Sequence, residues 1–254
     1  MKQILILISL LLTVLFAEAQ QLPKLVHRGT ATQLVVDGKP MLMLAGELSN
    51  SAATSKQDID NWMPRMEAMG LNTVLVPAQW DLIEPEEGKF DFNIIDEVVQ
   101  QAEDHHLKVV FLWFGAWKNS MSCYAPSWFK QDIKRFPRAM NAQGKPLEIA
   151  SAFSENVLKS DQRAFGQLMQ HIKDVDKQQT VVMVQVENEI GMLEDARDHS
   201  PLVEKTYQQT VPVELVKSLN KKQGTRLQTG KMWAETFGTD RYADEKFMAY
   251  YYAL

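Results

Sequence analysis

Apolar positions along the chain switch repeatedly between two spacings. Thr73-Val74-Leu75-Val76, Lys108-Val109-Val110-Phe111-Leu112-Trp113 and Val181-Val182-Met183-Val184-Gln185-Val186 are dense in aliphatic residues. They lack the alternation of a half-buried strand and read as strands buried on both faces. Between them the apolar residues recur at helical spacing. Ile59, Trp62, Met63, Met66 and Met69 share one face of residues 58–69, where Pro64 is expected to kink or restart the helix. Ile94, Ile95, Val98, Val99 and Ala102 do the same over 93–105, and further helices are predicted near 161–175, 203–209 and 213–222. Residues 25–36 read as a pair of short strands followed by an Asp37-Gly38 turn. Met41-Leu42-Met43-Leu44-Ala45 is expected to be the first buried strand, and residues 116–152 a long polar connection.

Strand and helix in alternation, with buried strands, mean a parallel sheet, either a (β/α)8 barrel or a doubly wound fold. No Gly-x-Gly-x-x-Gly follows the first strand, which weighs against a dinucleotide fold. The Gly-Lys pairs at Gly38, Gly88, Gly144 and Gly230 are turns, since none has the rest of a phosphate loop. Four strands of barrel type are visible. The fold class predicted is therefore α/β, a partial (β/α)8 TIM barrel of about the first four β/α units preceded by a short N-terminal β-hairpin. Residues 243–254 read as an amphipathic helix still presenting large apolar groups where the sequence stops. With the open apolar edges of a half-barrel, this leads to the expectation of a truncated domain.

Met1-Lys2, an apolar stretch over 4–16 and the small-residue site Ala17-Glu18-Ala19 read as a signal peptide cleaved after Ala19. The domain division expected is a signal peptide at 1–19 and the N-terminal part of a catalytic domain at 20–254, secreted or periplasmic. The apolar core of the leader is short for a bilayer span and no second long run follows, so no membrane association is expected. Cys123 is the single cysteine, which excludes an intramolecular disulfide or a cysteine-built metal site. A net charge of −5 gives no electrostatic footprint for nucleic acid and fits a neutral substrate better. His105-His106 reads as a solvated cap at a helix end, no other metal-ligand cluster is visible, and no cofactor is implied. The Gly-x-Ser-x-Gly turn of a serine hydrolase is missing.

Chemistry gathers where the strands end. The run from Val181 closes in Glu187-Asn188-Glu189, an amide that can hold a substrate hydroxyl beside a carboxyl that can move a proton. Taken alone, that cluster serves equally well for ion pairs at the rim. Glu47, Trp80-Asp81 with Glu84, and Trp117-Lys118-Asn119 follow the other strands. Indole faces stack on the C–H face of a sugar while carboxylates and amides take its hydroxyls. A single tryptophan is more often core, but its recurrence at strand ends favours sugar binding.

Leu71-Asn72-Thr73-Val74, Trp80-Asp81-Leu82-Ile83-Glu84-Pro85 with Gly88 and Phe92, and Val184-Gln185-Val186-Glu187-Asn188-Glu189-Ile190-Gly191 together resemble family 35 glycoside hydrolases, the retaining β-galactosidases, with a weaker likeness to family 42. The resemblance runs from Met41 onward. It implies a retaining exo-β-galactosidase with Glu189 as general acid/base, Asn188 at the sugar 2-hydroxyl and Asn119 binding galactose. Glu47, Trp80 and Trp117 complete the candidate substrate-binding set. Pro77 stands where many members have a substrate-binding tyrosine, and Met121 where many have a glutamate, which points to a divergent branch acting on β-galactosides or galactosylated plant polysaccharides such as xyloglucan. Retention needs two carboxyl groups about 5 Å apart, and burial beside an anionic nucleophile is expected to raise the Glu189 pKa. In that family the nucleophile lies downstream on the seventh strand, so the chain by itself is expected to be inactive. Glu235 is a poor substitute, having no buried strand before it. The competing readings are a same-clan glycosidase for a mannoside or glucoside and a non-catalytic sugar-binding remnant.

Overall fold

The computed structural model describes residues 22–252 apart from 120, 190, 193–194 and 239–240. The leader read at 1–19 and Ile190 of the Glu-Asn-Glu segment lie outside the described residues. β1 (Lys24–Arg28), β2 (Ala31–Val36) and β3 (Lys39–Pro40) form an antiparallel sheet, one strand more than the expected hairpin. Asp37 and Gly38 at φ 50 and 72° make the turn between its last two strands.

β4 is only Ala45–Glu47, and residues 41–44 belong to no strand, contrary to the buried strand expected at 41–45. Asn72 is the cause. Its Oδ1 accepts from the Leu44 N–H at 2.9 Å and its Nδ2 donates to the Leu42 carbonyl at 2.9 Å, so a side-chain amide replaces a ladder neighbour. Leu42 and Leu44 consequently point outward, 77% and 52% exposed.

α1 (Lys56–Ala68) starts at Ser55, whose hydroxyl oxygen accepts the Asp58 N–H at 3.2 Å. It runs through Pro64 without restarting. Pro64 and Asp60, whose carbonyl loses its partner to the proline, both lie on the exposed side of the helix.

The parallel sheet has the order β4-β5-β6-β9, where β5 is Thr73–Gln79, β6 is Lys108–Phe114 and β9 is Val181–Gln185. Leu75 of β5 accepts from the Leu48 N–H, so Leu75 and, two residues on, Pro77 present their backbones toward β4. β4 has already ended at Glu47, which lets a proline occupy a central strand without breaking a ladder bond. α2 (Trp80–Ile83) follows β5 directly, and α3 (Asn93–Asp104) leads to β6.

Residues 116–152 are more structured than a loop. They hold α4 (Ser127–Gln131) and the hairpin of β7 (Arg138–Met140) and β8 (Pro146–Ala150). α5 (Glu155–Val175) begins six residues before the expected start, because Val157 extends the buried face of Ala164, Leu168 and Ile172 by a turn. α6 (Pro201–Tyr207), α7 (Val213–Gln223), α8 (Trp233–Phe237) and α9 (Arg241–Tyr252) follow β9 and bury Val203, Val216, Trp233 and Phe247 in a cluster of their own.

The two faces of the sheet are covered differently. Val74, Val76, Val109, Phe111 and Trp113 pack on Ile59 and Met63 of α1, Ile95 and Val98 of α3, and Ala164 and Leu168 of α5. Val110, Leu112, Phe114 and Val182 turn the other way and meet Leu34, Val36, Met41 and Met43 from the N-terminal segment. Helices α1, α3 and α5 therefore lie on one side of the sheet, and the carboxyl ends of β5, β6 and β9 open at one rim.

Candidate functional site

At that rim the segments following β6 and β9 are fastened to each other. Gln185 Nε2 donates to the Glu187 carbonyl at 3.0 Å and to Asn188 Oδ1 at 2.8 Å. Asn188 Nδ2 in turn donates to the Lys118 carbonyl at 3.0 Å, and Trp117 Nε1 to the Glu189 carbonyl at 3.3 Å. The turn so held has Glu187 at φ 60° and Glu189 at φ 44°. Left-handed backbone at a residue other than glycine costs about 1–3 kcal/mol and persists only where its surroundings over-determine it.

The two glutamates of this turn sit in opposite environments. Glu189 has a side chain 61% exposed and stands 3.8 Å from the Lys118 ammonium, whose own side chain is 10% exposed. The burial expected at Glu189 is found at Glu187 instead. Glu187 is partly exposed along its length, but its Oε2 is shut off from solvent and accepts no hydrogen bond. Burial, and next to it the charge and hydrogen bonding of Asp161, hold the Glu187 carboxyl protonated well above the usual carboxylate range. The Trp117 backbone N–H faces the same carboxyl and offsets part of this.

Asp161 comes from the buried side of α5. Its Oδ1 accepts from Trp113 Nε1 at 2.8 Å and its Oδ2 from the Ala116 N–H at 2.6 Å, which ties the helix to the end of β6. Behind the pair lies a cavity of about 460 Å³ lined by Trp113, Trp117, Phe165, Val186, Asp161 and Glu187. Sequence reasoning did not single out Asp161. Its signal was available, an acid at helical spacing from the buried Val157, Ala164 and Leu168.

The structure brings Glu189, Asn188 and Trp117 together, with Asn119 two residues beyond Trp117. Asn119 Oδ1 is occupied by its own loop, accepting from the Met121 and Ser122 N–H groups at 3.0 and 2.9 Å. Trp117 is buried and lines the cavity. Glu47 is exposed at the end of β4, with β5 and β6 between it and β9.

Trp80 is not a sugar platform. It is wholly buried, its ring centroid is 5.0 Å from that of Phe129 and 5.8 Å from that of Trp128, and its Nε1 donates to Glu84 Oε2 at 2.8 Å. Glu84, also wholly buried, accepts from the Gly88 N–H at 2.7 Å and pairs with Arg163, so it holds the loop before α3. Glu235 is exposed and closes the start of α8 by accepting the Met232 N–H at 2.9 Å.

The parallel sheet thus carries helices on one face and an acid–amide pair just beyond the end of β9. The chain belongs to the beta-galactosidase family numbered 42 among the glycoside hydrolases, whose sequence model matches residues 50–244. It is 26% identical over 201 residues to human beta-galactosidase-1-like protein 3, an alignment covering 74% of this chain and 29% of that protein. It is 35% identical over 85 residues to a beta-galactosidase of Xanthomonas manihotis, covering 31% of this chain and 14% of that one. The matched part thus spans less than a third of either relative.

Proposed function

We propose that the protein is a retaining exo-β-galactosidase in which Glu189 is the general acid/base and Asn188 holds the sugar beside it. The observation that carries this reading is the Asn188-Glu189 pair on a fastened turn where β9 ends, in a chain belonging to a beta-galactosidase family. An acid/base must reach both a leaving oxygen and a water, and the exposed Glu189 carboxyl can do so while that of Glu187 cannot. In the first step Glu189 donates its proton to the glycosidic oxygen as the bond to the anomeric carbon breaks and a carboxylate nucleophile bonds to that carbon. In the second it takes a proton from the incoming water as the water oxygen bonds to the anomeric carbon and displaces the nucleophile carboxylate. The Lys118 ammonium stabilises the Glu189 carboxylate between the two steps. Glu187 and Asp161 are not the catalytic pair. Groups in hydrogen-bonding contact are too close to admit an anomeric carbon between carboxyls about 5 Å apart.

Beside the family 42 match we infer a likeness to family 35, supported by the Trp80 to Pro85 and Val184 to Glu189 motifs. The fold proposed is the first part of a (β/α)8 barrel, because α1, α3 and α5 cover a single face of the sheet where double winding would use both. No residue of the chain is assigned as nucleophile. Pro77 and Met121, at positions where the resemblance to family 35 places a substrate-binding tyrosine and a glutamate, favour a galactosylated plant polysaccharide as substrate, and the leader read at 1–19 favours an exported enzyme.

Glu189→Gln in the full-length protein tests the assignment. Turnover of alkyl β-galactosides should fall by about 10²-fold or more, while aryl galactosides with activated leaving groups keep a fast first step. Equal losses on both substrate classes would remove Glu189 from the acid/base role.

A further inference from the structure

We propose that Glu187 and Asp161 share one proton, and that this carboxyl pair is the positioning device that seats Asn188 and Glu189. The proposal deepens the site assigned above and rests on that reading only for its consequence in catalysis. Its geometry stands independently. Both Asp161 oxygens already accept N–H bonds, from Trp113 Nε1 and from Ala116, so Asp161 is placed as the acceptor of the pair. Glu187 Oε2 is buried and accepts no hydrogen bond from the described protein groups, and by carrying the proton it can donate to Asp161. The proton stays on a Glu187 oxygen and is shared through the hydrogen bond, with no net transfer.

The charge balance supports this allocation. Two ionised carboxylates side by side on an apolar-lined cavity would repel each other, which favours the neutral form of one of them. Of the titratable groups acting on Glu187, Asp161 lies on α5 and the Cys123 thiol in the segment after β6, and both oppose its ionisation. The turn itself supplies the reason for a clamp. Glu187 and Glu189 both sit at positive φ with Asn188 between them, so the turn relaxes unless something outside it fixes Glu187. Asp161 does this from α5. The same carboxylate holds the Ala116 N–H next to Trp117 and Lys118, the two residues that touch Glu189. One group thereby sets both sides of the site without touching substrate.

The experiment compares the wild type with Glu187→Gln and Glu187→Ala. Infrared difference spectra at neutral pH should show the C=O stretch of a protonated acid in the wild type, lost in Glu187→Gln and retained in Glu189→Gln. Glutamine can still donate to Asp161, so amide hydrogen exchange at 116–118 and 187–189 should stay within about two-fold of wild type. In Glu187→Ala it should rise roughly ten-fold. A wild type without the acid band, or an alanine variant exchanging like the wild type, overturns the proposal. If Glu187→Ala does not fold, the infrared comparison with glutamine decides alone. None of these readouts needs turnover, so they fail or succeed independently of the galactosidase assignment, whose own test is Glu189→Gln kinetics.

Discussion

Glu187 and Glu189 show how far two identical side chains can be separated by their surroundings. Left-handed backbone at both turns the chain so that one carboxyl faces α5 and the other faces solvent beside Lys118. The difference has a consequence for stability against pH. A carboxyl whose pKa in the folded protein lies above its unfolded value, near 4.3, contributes stability that is complete below that value and is lost as pH rises through the folded one. Glu187 is such a group. Asp58 and Glu155, whose pKa values lie below the usual range through bonds from Ser55 and Lys159, act in the opposite sense at acid pH. Urea unfolding from mildly acid to mildly alkaline pH should separate these contributions. Relative to Glu187→Gln, the wild type should lose about 1.4 kcal/mol per pH unit between the unfolded and folded values of Glu187. Parallel stability curves for the two proteins would mean that Glu187 ionises freely.

At the scale of elements, the site depends on how closely α5 approaches the end of β6. Gly115 makes that approach possible, since a Cβ there would lie 2.4 Å from Trp113 Nε1 and 2.5 Å from Asp161 Oδ2. Gly115→Ala should therefore cost about 1–3 kcal/mol, read as a lowered Tm, and should increase amide exchange after β6. A variant as stable as the wild type would show that α5 can yield. The elements themselves were legible in sequence where one physical cause dominated. β5, β6, α1 and α3 follow from apolar spacing, and the strand-end position of Glu189 follows from the buried run before it. Residues 41–44 were misread because their apolar density suits a strand, and nothing local reveals that Asn72, distant in sequence, takes their backbone groups. The β7–β8 hairpin was missed because its strands are short and polar, with Asn141 and Gly144 making the turn. Trp80 was misplaced for a related reason: position after a strand does not say which face of the sheet an indole joins. The same limit hid the exchange of environments between Glu187 and Glu189, which depends on φ values that the sequence does not display.

For the whole molecule, the decisive feature is a four-stranded parallel sheet with β4 and β9 at its edges. An edge strand offers unpaired N–H and C=O groups, and proteins usually shield such edges with charge, proline or a covering element. Here Met183 within β9 is 43% exposed and Val186 just beyond it 63%, while Leu42 and Leu44 beside β4 are 77% and 52% exposed. Among the described residues the β9 edge thus combines backbone without a neighbouring strand with apolar side chains, and it lies next to the rim that carries Glu189. The chain should self-associate through this edge at micromolar concentration. Met183→Lys places a charge on it without touching the Asp161–Glu187 pair, and should weaken association about ten-fold in sedimentation velocity while leaving Tm nearly unchanged. Association that persists in Met183→Lys would move the contact to the β4 edge, where Leu44→Lys makes the same comparison. If neither lysine alters the sedimentation profile, the strand edges are already satisfied in solution, and the open rim of the sheet does not govern how the molecule meets its neighbours.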